Sequence, residues 1–154
     1  MAKQLYNWGK VQSGDIISFR YKGKSDSALL TTLLVLNPRI RYTKKNGETN
    51  QHLVGLKLEQ SGNVPTIKSK PVVAQILESI GEISVVNESD EIYRVDIKNA
   101  GRLGVPKQTY KTIKQKLKQL SVYRTYNYEE ARKSQVFLEP IKLPQDLVRA
   151  LNED

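Results

Sequence analysis

The stretch between residues 101 and 120 holds the residues whose types and spacing most clearly predict a chemistry. It carries six basic side chains and no acidic one. At about 100° per residue, four lysines share one helical stripe beside an apolar stripe. They are Lys107, Lys111, Lys114 and Lys118. Like charges one turn apart repel, so this face predicts an anionic partner such as nucleic-acid phosphate. A solvated lysine face is the alternative.

Arg102 lies in a Gly-x-x-Gly loop, from Gly101 to Gly104, directly before this helix. Loops of this form hold the nucleic-acid backbone in KH domains, and the start of a helix offers free N–H groups to an anion. Arg102 therefore joins the four lysines as a candidate contact for nucleic acid or an anionic partner. The alternative is an ordinary turn.

Aromatic and basic side chains alternate after the helix, at Tyr123, Arg124 and Tyr126. Proteins that bind single-stranded nucleic acid use such interleaving, because bases stack on aromatic rings. Tyrosine is also common in cores and in protein interfaces. We predict that these three residues serve an interface, either with a protein subunit or with a nucleic-acid strand.

The sequence gives little support to catalytic or metal chemistry. The chain has no Cys and a single His, His52, which excludes thiolate chemistry and leaves no pair of His ligands for a metal. The carboxylates show neither a paired pattern nor the spacing of a metal-binding loop. No catalytic residue, metal site, cofactor or small-molecule substrate is therefore predicted.

The overall composition indicates a basic globular domain. The 154 residues carry 25 Lys and Arg against 16 Asp and Glu, a net charge of +9. No apolar run approaches the roughly 20 residues that cross a bilayer, and no signal peptide opens the chain. The excess charge lies in two basic blocks, residues 1–60 and 101–120, each with a net charge of +6. We expect a protein made in a cytoplasm, with no membrane partner, whose basic blocks meet a polyanion.

The elements that position these residues are predicted to form an α+β fold. Apolar alternation or continuous apolar runs predict four strands. They cover 16–22, 29–36, 39–43 and 52–58. Asn37-Pro38 should end the second strand, and Asn46-Gly47 should form a two-residue type I′ hairpin turn. Residues 1–60 are therefore predicted to be an antiparallel SH3-like β-barrel or meander, with an irregular lead-in.

Residues 61–154 are predicted to be a mixed α+β segment that packs as one unit with residues 1–60. Pro71 should open a short helix, and a hairpin should follow at 83–97. The lysine-striped helix should begin at Pro106, and a C-terminal tail should end in a helical turn or two at 145–151. The fold thus contains two or three short helices.

Two stretches carry a first resemblance. Gly14-Asp15-Ile16-Ile17, followed after a loop by Leu33-Leu34-Val35-Leu36-Asn37-Pro38, resembles the start of a MazF/PemK-type toxin. Those toxins are SH3-like barrels that cleave RNA. The resemblance implies a barrel and a ribonuclease activity that depends on barrel residues such as Arg20 or Arg39.

A second resemblance spans more of the chain. Phe19-Arg20-Tyr21-Lys22 is followed by Gly55-Leu56-Lys57-Leu58 and then by residues 137–144, Phe-Leu-Glu-Pro-Ile-Lys-Leu-Pro. This order is similar to small basic proteins of T4-like tailed bacteriophages. It implies a virion structural or assembly protein without a catalytic motif, located in the host cytoplasm or in a virion.

Three functions are therefore expected, in this order. The first is a non-catalytic structural or assembly protein of a tailed bacteriophage, which binds other protein subunits and DNA through basic surfaces. The second is a sequence-independent protein that binds DNA or RNA, or a regulator. The third is a MazF-like ribonuclease.

Overall fold

A computed structural model describes residues 4–23, 29–58, 78, 83–87, 93–97, 107–139, 141–143 and 145–152. Within them, nine strands and three α-helices confirm a mixed α+β fold in which antiparallel sheet predominates. The strands are β1 Gln4–Tyr6, β2 Ile16–Tyr21, β3 Leu29–Thr43, β4 Thr49–Leu58, β5 Ile83–Asn87, β6 Tyr93–Ile97, β7 Ser121–Asn127, β8 Val136–Leu138 and β9 Ile141–Lys142. The helices are α1 Lys107–Leu120, α2 Tyr128–Ala131 and α3 Gln145–Asn152.

A six-stranded antiparallel sheet forms the centre of the fold, in the order β1-β8-β2-β3-β4-β7. The hairpins β2–β3 and β3–β4 supply its middle. Strand β7 pairs with β4 on one side, and β8 pairs with β2 on the other. Segments from before and after residue 60 therefore belong to one sheet. A smaller sheet has the order β5-β6-β9.

The first correction concerns the meander. Asn37-Pro38 does not end a strand, because β3 continues from Leu29 to Thr43. The register against β4 shifts on both sides of Asn37, and such irregularities are where a strand accommodates a proline that cannot donate a hydrogen bond. The described part of residues 14–60 therefore holds three strands, and the predicted strand 39–43 is the outer part of β3.

The hairpin between β3 and β4 is confirmed, but its predicted turn type is wrong. The Gly47 N–H donates to the Lys44 carbonyl at 2.9 Å, and the Lys44 N–H donates to the Glu48 carbonyl at 2.8 Å. Three residues rather than two thus form the loop, and Gly47 has φ +89°. The Asn46 side chain accepts from the Glu48 N–H, which occupies the donor that a type I′ turn needs.

Both faces of the central sheet are covered, because successive residues of a strand point to opposite sides. We call the buried set that includes Ile17, Phe19 and Leu33 the inner cluster. Its other members are Trp8, Val11, Val35, Leu53, Tyr126, Tyr128, Ala131 and Val136. The outer cluster joins Ile16, Leu34 and Leu56 to side chains of β5, β6, β9, α1 and α3.

The inner cluster shows that the sheet is strongly curved. Strands β2 and β7 are three positions apart in the sheet, a separation of about 14 Å if the sheet were flat. The Tyr21 and Tyr126 rings nevertheless lie 4.8 Å apart, and the Phe19 and Tyr126 rings lie 5.5 Å apart. The Asn127 N–H also donates to the Tyr21 hydroxyl at 3.2 Å. Curvature therefore brings β7 back against β2.

Several local predictions agree with the described residues. Strands β5 and β6 form the expected hairpin, and α1 and α3 occupy the expected positions. The lead-in, predicted to be irregular, contains β1 and a 3-10 turn at Trp8–Lys10. The helix predicted after Pro71 lies outside the described residues, apart from Glu78, which is helical.

Candidate nucleic-acid interface

The lysine-striped helix packs as predicted, with its apolar side against the outer cluster. Ile113 and Leu117 are fully buried there. Lys111 is exposed and Lys114 is half-buried. The described residues include the backbone of Lys107 and Lys118 but not their side chains, and Arg102 lies outside the described residues. Lys111 and Lys114 are thus the members of the predicted site that the structure describes.

The predicted aromatic and basic interface is divided between two environments. Tyr123 is 59% exposed, and Arg124 is also exposed. Tyr126 is 8% exposed and packs against Phe19 and Tyr21. Burial raises the pKa of its hydroxyl, against the lowering effect of the Arg124 charge. Tyr126 therefore belongs to the core rather than to an interface, which corrects the prediction for this residue.

A basic region that sequence reasoning did not single out lies at the end of the β3–β4 hairpin. Every residue from Ile40 to Thr49 is exposed, and we call residues 39–52 the arm. The arm carries four basic residues, which are Arg39, Arg41, Lys44 and Lys45, and one acidic residue, Glu48. A net charge of +3 is therefore concentrated on a hairpin that the core does not cover.

The register gives the arm two different faces. Arg41 lies opposite Gln51, and Thr43 lies opposite Thr49, so these residues form one side, the polar face. The two threonine hydroxyls lie 3.3 Å apart. The aromatic face is the other side, and it carries Ile40, Tyr42, Asn50 and His52. The Tyr42 and His52 rings meet edge to face, with centroids 6.0 Å apart.

A cleft of about 620 Å³ opens at the base of the arm. Its lining residues are Tyr6, Asn7, Trp8, Gly9, Arg39, Gln51, Tyr128 and Arg132. Among the described residues, the lining includes two arginines and no carboxylate, and we call this site the arginine cleft. Gln51 lines the cleft and also lies opposite Arg41, so the cleft continues into the polar face of the arm.

The two arginines of the cleft are held by the same tyrosine ring. The guanidinium carbons of Arg39 and Arg132 lie 5.9 Å and 5.6 Å from the Tyr128 ring centroid, within the range of a cation–π interaction. Arg39 also donates from Nη1 to the Trp8 carbonyl at 3.2 Å. Arg132 forms an exposed ion pair with Glu129 at 3.4 Å, which contributes little stability. The cleft thus holds two ordered guanidinium groups.

The inner cluster fixes the floor of this cleft. Trp8 donates from its indole nitrogen to the Ser134 carbonyl at 2.8 Å, and its ring packs edge to face on Phe19 and Tyr128. The Tyr128 hydroxyl donates to the Trp8 carbonyl at 3.3 Å. Asn127 caps α2 by accepting from the Glu130 N–H. The ring under both arginines is therefore anchored by core packing.

The chain matches no protein-family model, no curated protein and no solved structure. Function must therefore be inferred from the arm and the arginine cleft themselves. Within the described residues, no group of three or more His, Asp and Glu could hold a metal ion. None of the described helices is long and apolar enough to span a membrane.

Tyr6 borders the cleft as a neutral group. Burial raises the pKa of its hydroxyl, and the nearby Asp15 carboxylate raises that pKa further. The hydroxyl donates to the Lys10 carbonyl at 3.1 Å. Because Tyr6 stays protonated at neutral pH, it does not offset the charge of the two arginines.

A second cleft, of about 560 Å³, lies where β2, β3 and β8 meet. Beside it, the buried Glu139 carboxylate accepts a hydrogen bond from the Ser18 hydroxyl at 2.8 Å, and the Thr32 hydroxyl lies 3.2 Å from that of Ser18. A buried carboxylate must be hydrogen-bonded to be tolerated. These contacts connect Glu139, directly after β8, to β2 and β3 of the sheet.

No local pattern in the sequence marks the arginine cleft, because its residues come from four separate segments. For the arm, the sequence does contain a weak indication that its strand is exposed. The pattern Arg39-Ile40-Arg41-Tyr42 alternates, but one of its two sides is entirely charged and the other is only partly apolar. A strand with that pattern is not fully buried, unlike the run at 29–36.

Proposed function

We propose that the protein is a non-catalytic binding component of a nucleoprotein assembly, and that its arm and arginine cleft hold nucleic-acid phosphates. The observation that carries this proposal is the pair of guanidinium groups, from Arg39 and Arg132, on one tyrosine ring in a cleft lined by no carboxylate among the described residues. Fixed positive charge of this kind attracts an anionic ligand.

Arginine suits this task better than lysine does. Its planar guanidinium presents five donors in a fixed fork that matches the oxygens of a phosphate. Contact with the Tyr128 ring orders both side chains before binding, which reduces the entropy that binding must remove. We propose the lysine stripe of α1, together with Arg102, as a second and weaker contact, because a lysine ammonium offers a point charge without the arginine fork.

Binding to other protein subunits is the second part of the proposal. The resemblance to proteins of T4-like phages supports a virion structural or assembly role, in the host cytoplasm or in a virion. Tyr123 and Arg124 are exposed on β7, the last strand of the six-stranded sheet in the described part of the chain. Exposed tyrosine and arginine side chains are typical of protein interfaces, and we propose these two residues for a subunit contact.

For the fold, we propose that β8, β2, β3, β4 and β7 form an SH3-like barrel. Three observations support it: the five strands follow one another in the sheet, β3 is long and has register shifts that allow it to bend, and rings from β2 and β7 meet in the inner cluster. A closed or nearly closed barrel would also explain how the short segment that contains α2 connects β7 to β8, the two end strands of the proposed barrel.

The test compares two double variants that remove the same charge. Arg39→Gln with Arg132→Gln changes the cleft, and Lys111→Gln with Lys114→Gln changes the helix. Fluorescence anisotropy measures the affinity for a DNA duplex and for single-stranded RNA from about 50 to about 300 mM salt. We expect the cleft variant to bind about tenfold more weakly or worse, and its salt slope to fall by about 0.7–0.9 for each phosphate that it no longer neutralises. The helix variant should change less.

Three results would contradict this proposal in different ways. A larger loss of affinity in the helix variant would move the site from the cleft to α1. If the native protein no longer binds nucleic acid at about 0.15 M salt, the proposed nucleic-acid binding is overturned. The proposed contact with a protein subunit would then remain. Cleavage of RNA without added metal would favour a MazF-like ribonuclease instead.

A further inference from the structure

We infer that the arm enters the major groove of duplex DNA, with its polar face against the base edges. This inference rests on the proposed function, and it names the nucleic acid that the basic surface takes. The observations that carry it are the shape of the arm, the chemistry of its polar face and the position of its charges.

The dimensions of the arm fit that groove. Four residue pairs join Ile40–Thr43 to Thr49–His52, and a three-residue loop closes the hairpin. Two paired strands lie about 4.8 Å apart, and the major groove of DNA, about 12 Å wide and 8.5 Å deep, admits a two-stranded ribbon. Four pairs span three steps of about 3.4 Å, or about 10 Å, so the arm with its loop can cross the groove, which is about 12 Å wide.

The polar face carries side chains that read bases. Arg41 and Gln51 lie opposite each other at its centre. Arginine makes paired hydrogen bonds to guanine O6 and N7, glutamine does so to adenine N6 and N7, and threonine can contact either. Thr43 and Thr49 continue the same face toward the loop.

The basic residues lie where the DNA backbone would pass. Arg39 and Arg132 lie in the cleft at the base of the arm, and Lys44 and Lys45 lie at its tip, where both are exposed. Lys44 is 3.9 Å from Glu48 in an exposed pair, which leaves it available to a phosphate. Phosphate contacts on both sides of a reading face fix the register of a protein on a duplex.

A single strand would be a poorer fit to this surface. Proteins that bind single strands stack successive bases on several aromatic rings. The arm has one strongly exposed ring, that of Tyr42, which is 60% exposed and lies on the face opposite Arg41. Double-stranded RNA is also a poorer fit, because its major groove is too deep and narrow for side chains to read.

The first measurement compares three ligands of the same sequence at one salt concentration, with the full chain. They are a DNA duplex, an RNA duplex and single-stranded DNA. We expect the DNA duplex to bind about tenfold more tightly than either of the others. Dimethyl sulfate footprinting then reports the groove, since it methylates guanine N7 in the major groove and adenine N3 in the minor groove. We expect protection of guanine N7.

Matched variants locate the contact on one face of the arm. Arg41→Ala should weaken duplex binding by about 5- to 100-fold. Arg41→Lys keeps the charge but removes the fork, so it should recover only part of that affinity. Tyr42→Ala, on the aromatic face, should leave duplex affinity within about twofold. Because both positions are exposed, the urea midpoint of each variant should match that of the native protein.

Other outcomes would overturn the inference while leaving the proposed function intact. These are tighter binding to single strands that Tyr42→Ala weakens, equal binding to the DNA and RNA duplexes, or protection of adenine N3 alone. Absence of binding to every nucleic acid would instead overturn the proposed function itself, so the two failures are distinguishable.

Discussion

The two halves of the β3–β4 ribbon belong to the same pair of strands but lie in opposite environments. From Leu33 to Leu36, β3 is buried on both faces, opposite the buried part of β4. From Ile40 to Thr43 it is exposed, although its pairing with β4 continues. Backbone pairing and core packing therefore end at different places, and the register shifts around Asn37 lie between the two.

This difference in burial indicates that the two halves contribute differently to the stability of the fold. The inner half carries the hydrophobic burial that stabilises the fold, and its residue types are set by the space available. The outer half buries little and adds net positive charge, so its contribution to the stability of an isolated domain is small. Binding residues concentrate on exposed segments that a rigid scaffold positions, which agrees with the contact proposed for the arm.

The largest expected contrast comes from truncating one side chain in each half. Leu33→Ala removes a fully buried side chain of the inner cluster, and we expect it to lower the free energy of unfolding by about 2–5 kcal/mol. Tyr42→Ala in the arm should change it by less than about 0.5 kcal/mol. Urea denaturation followed by circular dichroism measures both. Equal destabilisation would mean that the arm packs on residues that stabilise the fold, and the contrast would fail.

The glycines of the two halves provide a sharper contrast. A Cβ on Gly55 would collide with the Leu34 carbonyl oxygen and the Leu33 side chain, whereas a Cβ on Gly47 would meet no atom within 4 Å. Gly55 is therefore required for space, and Gly47 is required for its φ of +89°. We expect Gly55→Ala to cost about 1–3 kcal/mol and Gly47→Ala about 1 kcal/mol.

Asparagine separates these two reasons, because it tolerates positive φ but is larger than alanine. Gly47→Asn should be less destabilising than Gly47→Ala, whereas Gly55→Asn should be more destabilising than Gly55→Ala. Urea unfolding of the four variants gives the order. If asparagine also rescued position 55, the inner half would not be limited by space.

The sequence predicted the parts of this contrast that depend on local pattern. Apolar alternation and the Asn46-Gly47 pair indicated the hairpin, and helical periodicity indicated the lysine stripe of α1. The continuation of β3 through Pro38 was missed, because a proline in a strand is tolerated only when the partner strand allows a register shift. Gly55 on β4 lies opposite Val35 beside one of these shifts, and a glycine inside a strand is typical of such a place.

The arginine cleft could not be predicted in the same way. Arg39 and Arg132 are distant in the sequence, and they meet only because α2 follows β7 back across the inner cluster. The strand order of the sheet determines that approach, and strand order depends on long-range pairing that no local period records. Sequence reasoning thus found the basic helix, whose residues share one element, and missed the cleft, whose residues do not.

The smallest expected effect is a pH dependence of stability. It arises from Asp15, whose backbone is hydrogen-bonded to Val35 of the inner half. The backbone carbonyl of Asp15 accepts from the Val35 N–H at 2.8 Å, and burial raises the pKa of the Asp15 carboxyl above its usual 3.8, although the Gln12 N–H partly opposes this. The folded state therefore holds this proton more tightly than the unfolded state does. The resulting stabilisation is complete below pH 3.8 and disappears as the pH rises through the raised value.

Asp15→Asn removes this titration but keeps an oxygen that can accept from the Gln12 N–H. We expect the free energy of unfolding of the native protein to fall more steeply with rising pH above 3.8 than that of the variant. Arg41→Gln in the arm should leave the native slope unchanged, because arginine does not titrate in this range. Urea titrations at several pH values measure the slopes. A native slope equal to that of Asp15→Asn, or a slope that changes with Arg41→Gln, would show that the pH sensitivity does not arise at the inner half.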